Sequence, residues 1–330
     1  MADGQGVLVA GEVAGGQLQD STKELLAHGR KLADALGESL SVALLGQDLG
    51  DLPKEAIAFG ADKVYATTNP LLDGTHPEAD LAALTKLAQD NAPRVILVAK
   101  SPLGVEIGPR LAFRLGTGLA QDCMEVNVDD QQRLTANRPV FGGNCMATVV
   151  CTGSPSMAVI RGKTTDPLER DDSRQGEVEA VSPGIDASII KYQVLETVTE
   201  EREGIRLEDA SIVISGGRGL GGPEPFENEL KELADLLGAA MGASRAAVDI
   251  GWVPYSYQIG LTGKSIAPDL YITIGISGAS QHMAGCSGAR VVVAINRDLN
   301  ANIFQEASYG VAAEWQKVLP AFIQQVRELQ

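Results

Sequence analysis

The chain has 330 residues, 44% of them hydrophobic, and carries 27 lysines and arginines against 43 aspartates and glutamates, a formal net charge of −16. That length suits about two domains of roughly 150 residues, and the acid excess excludes a broad cationic field for nucleic acid or for an anionic membrane surface. No apolar run approaches the ~20 residues of a spanning helix, and the N-terminus MADGQGVLVAGEV shows neither a basic leader nor an arginine-rich transit pattern, so a cytoplasmic protein that does not itself span a membrane is expected. Cys123, Cys145, Cys151 and Cys286 form no C-x-x-C pair and only three histidines accompany them, which argues against a disulfide scaffold, a zinc site or an iron–sulfur site. Aromatics at 4% with 37 glycines suit an α/β protein with tight strand-to-helix turns.

In chain order, residues 7–13 read as a strand, and 21–36 as a helix with Leu25, Leu26, Leu32 and Leu36 at apolar positions and Gly37 as its stop. A second strand follows at 41–45, a third at 63–66, a helix at 77–90 and a nearly pure apolar run at 94–99. Strands buried on both faces have that composition, so a mostly parallel sheet flanked by helices is predicted. Between 166 and 209 the texture changes to acid runs broken by the turn signal at 182–184, with one β-like stretch at 189–198, which marks a solvated junction. A second α/β unit opens at residues 210–215 and continues with a helix at 226–238 and strands at 246–249, 270–275 and 291–295. Trp315, Val318, Leu319, Phe322, Ile323, Val326 and Leu329 recur at helical spacing, so a last helix should dock an apolar face. The fold expected is two Rossmann-like, doubly wound α/β domains with mostly parallel sheets, 1–200 and 205–330.

Gly217 to Gly222 satisfies G-x-G-x-x-G between a strand and a helix, with Asp249 placed at the end of the next strand, the pattern of a dinucleotide fingerprint. Arg218 inside the pattern would crowd a close backbone approach, and Pro223 and Pro225 delay the helix, so an independent NAD-dependent oxidoreductase is the weaker reading. Ligands of open α/β sheets gather at the carboxyl ends of strands. Arg218 follows one expected strand, the turn from Ser277 to His282 follows another, and Asn296 ends a third. The loop from Gln258 to Lys264 is glycine-rich, and Ser244-Arg245 lies at a turn.

The blocks SGGRGL (215–220), GASRAAVD (242–249), QIGLTGK (258–264), LYITIGISGASQHMAG (270–285) and VVVAINRDLNANIFQEASYG (291–310) together resemble the FAD-binding half of the electron transfer flavoprotein alpha subunit. The N-terminal half is similar too, through VLVAGE, FGADKVY, RLGTGLAQDC and RPVFGGNCMATV. The resemblance implies a heterodimer with an electron transfer flavoprotein beta subunit, with FAD mainly on the second domain. It implies that Arg245 stacks on the isoalloxazine, that Thr262 in the loop Gln258, Ile259, Gly260, Leu261 hydrogen-bonds near flavin N5, and that His282 donates near the pyrimidine carbonyl. Arg218, Ser244, the turn Ser277, Gly278, Ala279, Ser280 and Gln281, Asn296 and, at the adenosine end, Glu314 would hold the remainder. Leu261 stands where the family usually has Gln, and Glu314 where it usually has Asp.

The resemblance further implies a non-catalytic carrier. It would take electrons from flavin dehydrogenases such as acyl-CoA dehydrogenases, as in fatty acid beta-oxidation, and pass them through a flavin semiquinone to a membrane quinone oxidoreductase. The other course open to such a chain is a subunit of an electron-bifurcating complex that oxidises NADH and reduces ferredoxin.

Overall fold

Alternating apolar runs and amphipathic helices build two separate parallel sheets in this protein. The computed structural model describes residues 4–74, 76–141, 145–182, 184–192, 194–196 and 205–329. The chain divides into one unit of Met1–Val140 with Cys145–Val198 and another of Phe141–Asn144 with Thr199–Gln330.

In the first unit seven parallel strands lie in the order Glu177–Ala180, Lys63–Thr68, Leu40–Gly46, Val7–Gly11, Val95–Ala99, Ser156–Ile160, Leu119–Cys123. The apolar run expected at 94–99 explains its own burial. Val95 and Leu97 join Leu25, Leu26 and Leu32 of the helix Asp20–Leu36 on one face, while Ile96 and Val98 join Leu81, Leu84 and Leu111 on the other. Each such side chain taken from water contributes about 1.5–3 kcal/mol. The helix Asp20–Leu36 stops where Gly37 turns into the left-handed region at φ 67°.

Several elements lie outside the expected ones. The helix Pro102–Leu115 and the strands Leu119–Cys123 and Ser156–Ile160 complete the first sheet's layer, and Glu125–Val128, Leu134–Val140 and Cys145–Val150 form a three-stranded antiparallel sheet. The acid run inside 166–209 contains a strand, Glu177–Ala180, because Lys63 of the neighbouring strand reaches Glu177 at 3.1 Å and Glu179 at 2.7 Å. The β-like stretch at 189–198 instead begins at the end of a 3-10 turn, Ala187–Ile189, and holds no strand among its described residues; 193, 197 and 198 lie outside them.

In the second unit six parallel strands lie in the order Gln258–Ile259, Ala240–Ser244, Ile212–Gly216, Leu270–Ile274, Val291–Asn296, Tyr309–Ala312. The strand expected at 246–249 is displaced to Ala240–Ser244, and Arg245–Asp249 is a short helix. Gly238, at φ 60°, ends the helix Glu229–Leu237 only two residues before this strand, whose small side chains carry little hydrophobic signal. Asp249 therefore does not end a strand, and the acid of the fingerprint is not where that pattern needs it. The C-terminal helix Trp315–Leu329 buries Leu319 and Ile323 in a cluster with Leu230 and Leu233, whereas Leu329 stays exposed.

Candidate functional site

The second sheet reverses its direction of growth at one point. From Ile212–Gly216 the chain moves out to Ala240–Ser244 and returns on the other side at Leu270–Ile274, so the loops leaving these strands diverge over a crevice. A cleft of about 1020 Å³ opens there, at the upper end of the roughly 300–1,000 Å³ of small-molecule and cofactor sites.

Two loops cross at its base with almost no side chain between them. Gly217 and Gly219 donate their amides to the carbonyls of Ile274 (2.9 Å) and Gly275 (3.0 Å). A Cβ on Gly219 would stand 2.7 Å from the Gly275 oxygen, and Gly275 itself has φ 66°. The glycines of the apparent fingerprint thus serve loop-to-loop contact, and those amides are not free for a pyrophosphate. That geometry removes the support for an independent NAD site. Arg218, between them, is exposed on the cleft wall and has no ion-pair partner among the described residues.

The turn after Leu270–Ile274 supplies the second wall. Ser277, Gly278, Ala279 and Gln281 donate their amides to no backbone carbonyl among the described residues, which leaves N–H groups for an anion. Gly278, at φ 77°, allows this turn to press on the next loop, since a Cβ there would meet the Ile303 nitrogen at 2.2 Å. Asn296 joins the loops by donating from Nδ2 to the Ile276 carbonyl (2.8 Å) and accepting from the Asp298 amide (2.9 Å).

The buried floor consists of Gln258, Ile259, Gly260 and His282. Gln258 Nε2 donates to Thr262 Oγ1 at 3.1 Å, and the Tyr255 hydroxyl donates to the Thr262 carbonyl. With one lone pair engaged, the exposed Thr262 hydroxyl keeps its proton for an acceptor in the cleft. Leu261 hangs its amide on the Gln281 carbonyl at 2.7 Å, so this loop is tied to the anion-facing turn. Arg245 starts the helix after Ser244 and, among the described residues, makes only an open pair with Asp249, 3.2 Å apart.

His282 departs from expectation. Its Nδ1 lies 3.1 Å from the Ile259 carbonyl, which can only accept, and its Nε2 lies 2.7 Å from the Tyr271 hydroxyl. The neutral ring with a proton on Nδ1 satisfies both, and burial pushes its pKa down to about 4, a drop the Ile259 carbonyl only partly opposes. The side chain lines the cleft, but its one N–H is spent inside the protein; the donor role expected for it near a pyrimidine carbonyl has no ring proton to use.

Among the expected site residues, all but Gly278 and Ser280 line this one cleft. Gly278 acts beneath the wall as described, and Ser280 begins the short helix Ser280–Met283. The cleft adds Arg297, Asn300 and Trp315, which sequence reasoning missed. Arg297 was within reach of the strand-end rule, being next to Asn296; Trp315 registered only as part of an apolar stripe. Three arginines (Arg218, Arg245, Arg297) face three carboxylates (Asp249, Asp298, Glu314) across the lining, so an anion here meets placed donors and no net positive field.

Comparison with known proteins supplies two family matches and a set of full-length relatives. Residues 7–185 match the electron transfer flavoprotein domain, and residues 206–287 match the electron transfer flavoprotein FAD-binding domain. The chain is 42% identical to the electron transfer flavoprotein subunit alpha of Thermoanaerobacterium thermosaccharolyticum over 100% of both chains. It is 38% identical to the protein of the same name from Megasphaera elsdenii, covering 99% of this chain and 98% of that one. A further relative, the acryloyl-CoA reductase electron transfer subunit beta of Anaerotignum propionicum, is 33% identical over 95% of this chain and 93% of its own.

Proposed function

The chain belongs to the electron transfer flavoprotein alpha-subunit family, and on that premise we propose that it is the FAD-binding half of a heterodimeric electron carrier whose cofactor lies in the cleft of the second unit. The observation that carries the placement is the pairing of Arg218 with the amide-rich turn Ser277–Gln281 across the sheet's switch point. The donor set fits FAD. A pyrophosphate requires a fixed cation and free N–H groups on facing walls, and an extended dinucleotide requires a long cleft, here running from Arg245 and Thr262 to Asn296, Glu314 and Trp315.

When bound, FAD supplies redox chemistry in steps of one or two electrons. The chain's own residues bind and tune it. Arg245, through its guanidinium cation, would lie against the ring system and favour added negative charge there. Thr262, braced by Gln258 and Tyr255, would present a hydroxyl proton to a ring nitrogen. Ser244, Gln258, Ile259, Gly260 and Leu261 would shape that end, while Arg218, Ser277, Ala279 and Gln281 would hold phosphate oxygens and Asn296 and Glu314 the adenosine end. His282 would buttress the floor as an uncharged group. Redox-active protein thiols are not needed, and burial pushes the nearby Cys286 thiol up to about 12.

The partner we assign is an electron transfer flavoprotein beta subunit. The route we assign runs from flavin dehydrogenases such as acyl-CoA dehydrogenases to a quinone oxidoreductase. Co-expression with the beta subunit should yield a yellow pair with one FAD per heterodimer, reduced by an acyl-CoA dehydrogenase and its substrate; a pair that stays colourless after FAD addition refutes the assignment. A relative named as an electron transfer subunit of acryloyl-CoA reductase shows such a chain attached to a reductase, and a second reading makes this one a subunit of a bifurcating complex. That reading expects two FAD per heterodimer and NADH oxidation that requires two acceptors.

A further inference from the structure

The loop that carries Thr262 is held from beneath by a segment far away in sequence. Lys264 Nζ pairs with Glu208 Oε1 across 56 positions, and both side chains are largely shielded, 30% and 21% exposed. Beside Glu208, Leu207 is 5% exposed and packs in one cluster with Ile259, Ile266 and Tyr271. Residues 206–209 thus set one apolar and one charged side chain under the loop. Glu208 Oε2 is buried without a hydrogen-bond partner among the described residues, and Lys264 is the side chain that pairs with this carboxylate. Burial would raise the pKa of Glu208, yet Lys264, helped by the Glu208 amide and the charge of Arg206, holds it below the ordinary value.

Two of the loop's backbone hydrogen bonds meet at Lys264, and a third closes the turn beside it. Its amide donates to the Gln258 carbonyl (2.7 Å), its carbonyl accepts from the Gly260 amide (3.2 Å), and Gly263 donates to the Gly260 carbonyl (3.0 Å). Gln258 in turn holds the Thr262 hydroxyl. A shift of Lys264 therefore changes where Thr262 and Leu261 stand on the cleft wall.

We propose that Glu208 is a positioning residue for the bound flavin: through Lys264 it fixes the register of Gln258–Lys264, and with it the flavin's affinity and reduction potential, without touching the cofactor. The proposal rests on the assignment of FAD to this cleft. It differs from a general stabilising role because the affected quantity is the potential, which responds to the hydroxyl and dipoles at the ring and not to overall fold stability.

The test uses the complete heterodimer with Glu208→Gln, a near-isosteric neutral change, and Glu208→Asp, which keeps the charge. FAD affinity, the midpoint potential of the bound flavin and the melting temperature of the flavin-free pair are measured for each. Glu208→Gln is expected to weaken FAD binding about tenfold, since only part of what a shielded pair loses with one partner reaches the cofactor through the loop, and to shift the midpoint potential; Glu208→Asp should recover most of both. Glu208→Gln with wild-type affinity and potential overturns the proposal, as does a fall in melting temperature with the potential unmoved. A wild-type pair that binds no FAD removes the cofactor assignment itself and this proposal with it, whereas wild-type binding with an unaffected variant removes this proposal alone.

Discussion

In the first sheet the chain steps from Val7–Gly11 out to Leu40–Gly46 and returns on the other side at Val95–Ala99; in the second it makes the same move from Ile212–Gly216 through Ala240–Ser244 to Leu270–Ile274. Both units therefore contain the topology that favours a ligand crevice. In the first, side chains fill the crossing. Glu12, just past Val7–Gly11, accepts from Ser21 Oγ at 3.2 Å and from the hydroxyl of Ser101, whose own oxygen takes the Gly104 amide at 2.8 Å and caps the helix Pro102–Leu115. At the edge of the same sheet, on Leu119–Cys123, Asp122 binds Arg161 through both oxygens, 2.9 and 2.7 Å, and Lys100 at 2.7 Å. In the second, the residues at the crossing are Gly217, Gly219 and Gly275, and the space above them is a cleft. Strand order offers a site; the size and charge of a few residues at the crossing decide whether it stays open.

Filling the open crossing should have the largest effect. Gly275→Val adds bulk 2.8 Å from the Gly219 backbone at a left-handed φ, at an expected cost of about 3 kcal/mol. Thermal melting of the second unit and flavin retention would both fall; a variant that kept its flavin would break the account of how the glycines shape the cleft. Breaking the shielded charge pair at the edge of the first sheet comes next. Asp122→Ala takes from Arg161, 4% exposed, the carboxylate that binds it through both oxygens, and should cost about 2–3 kcal/mol in denaturant unfolding while FAD affinity is unchanged. Burial opposes the charged form of Asp122, but Arg161 and Lys100 together hold its carboxyl below the ordinary 3.8. Its contribution is thus complete above that value and is lost as pH falls through the lowered pKa, where the two proteins should converge.

A milder acid effect should appear in both units. His28 in the first and His282 in the second are each lowered by burial from 6.5 to about 4, His28 further by the charge of Lys31. The unfolded chain takes up protons in that interval and the folded one does not, so stability is complete above about 6.5 and declines as pH drops toward 4. Denaturation midpoints across this window should fall, and His282→Asn should flatten the curve of the second unit only; an unaltered curve would sink the buried, doubly bonded ring. The smallest change is Asp249→Asn. The Arg245–Asp249 pair is 66% and 59% exposed, so unfolding should move by less than about 0.5 kcal/mol. Equal flavin potentials in that variant and the wild type would show that Arg245 keeps its place without Asp249.

Legibility followed the size of the side chains. The strand Val95–Ala99 was plain because both faces are aliphatic, while Ala240–Ser244 was missed because its small residues, including Gly242 packed within 2.6 Å of Ser215 Oγ for any added Cβ, produce no apolar period. That miss moved Arg245 from the start of a strand to the carboxyl end of one, the edge where ligands bind. Resemblance named Arg245, Thr262 and Asn296, and the strand-end rule could have added Arg297. Nothing in the order of residues indicated that Tyr271 and Ile259 would occupy both nitrogens of His282, or that Glu208 would hold Lys264.

The sequence by itself determined the alternation of buried runs and amphipathic helices, the two parallel sheets it leads to, the absence of a broad cationic field and the family. These depend on local composition and short-range period, which one strand of text contains in full. The tertiary structure alone decided that the glycines of residues 217–222 serve loop contact and not phosphate, that the first crossing is filled and the second open, and that His282 is neutral. Those outcomes depend on which backbone meets which across tens of residues, and on the desolvation that follows, quantities defined only once the chain has closed on itself.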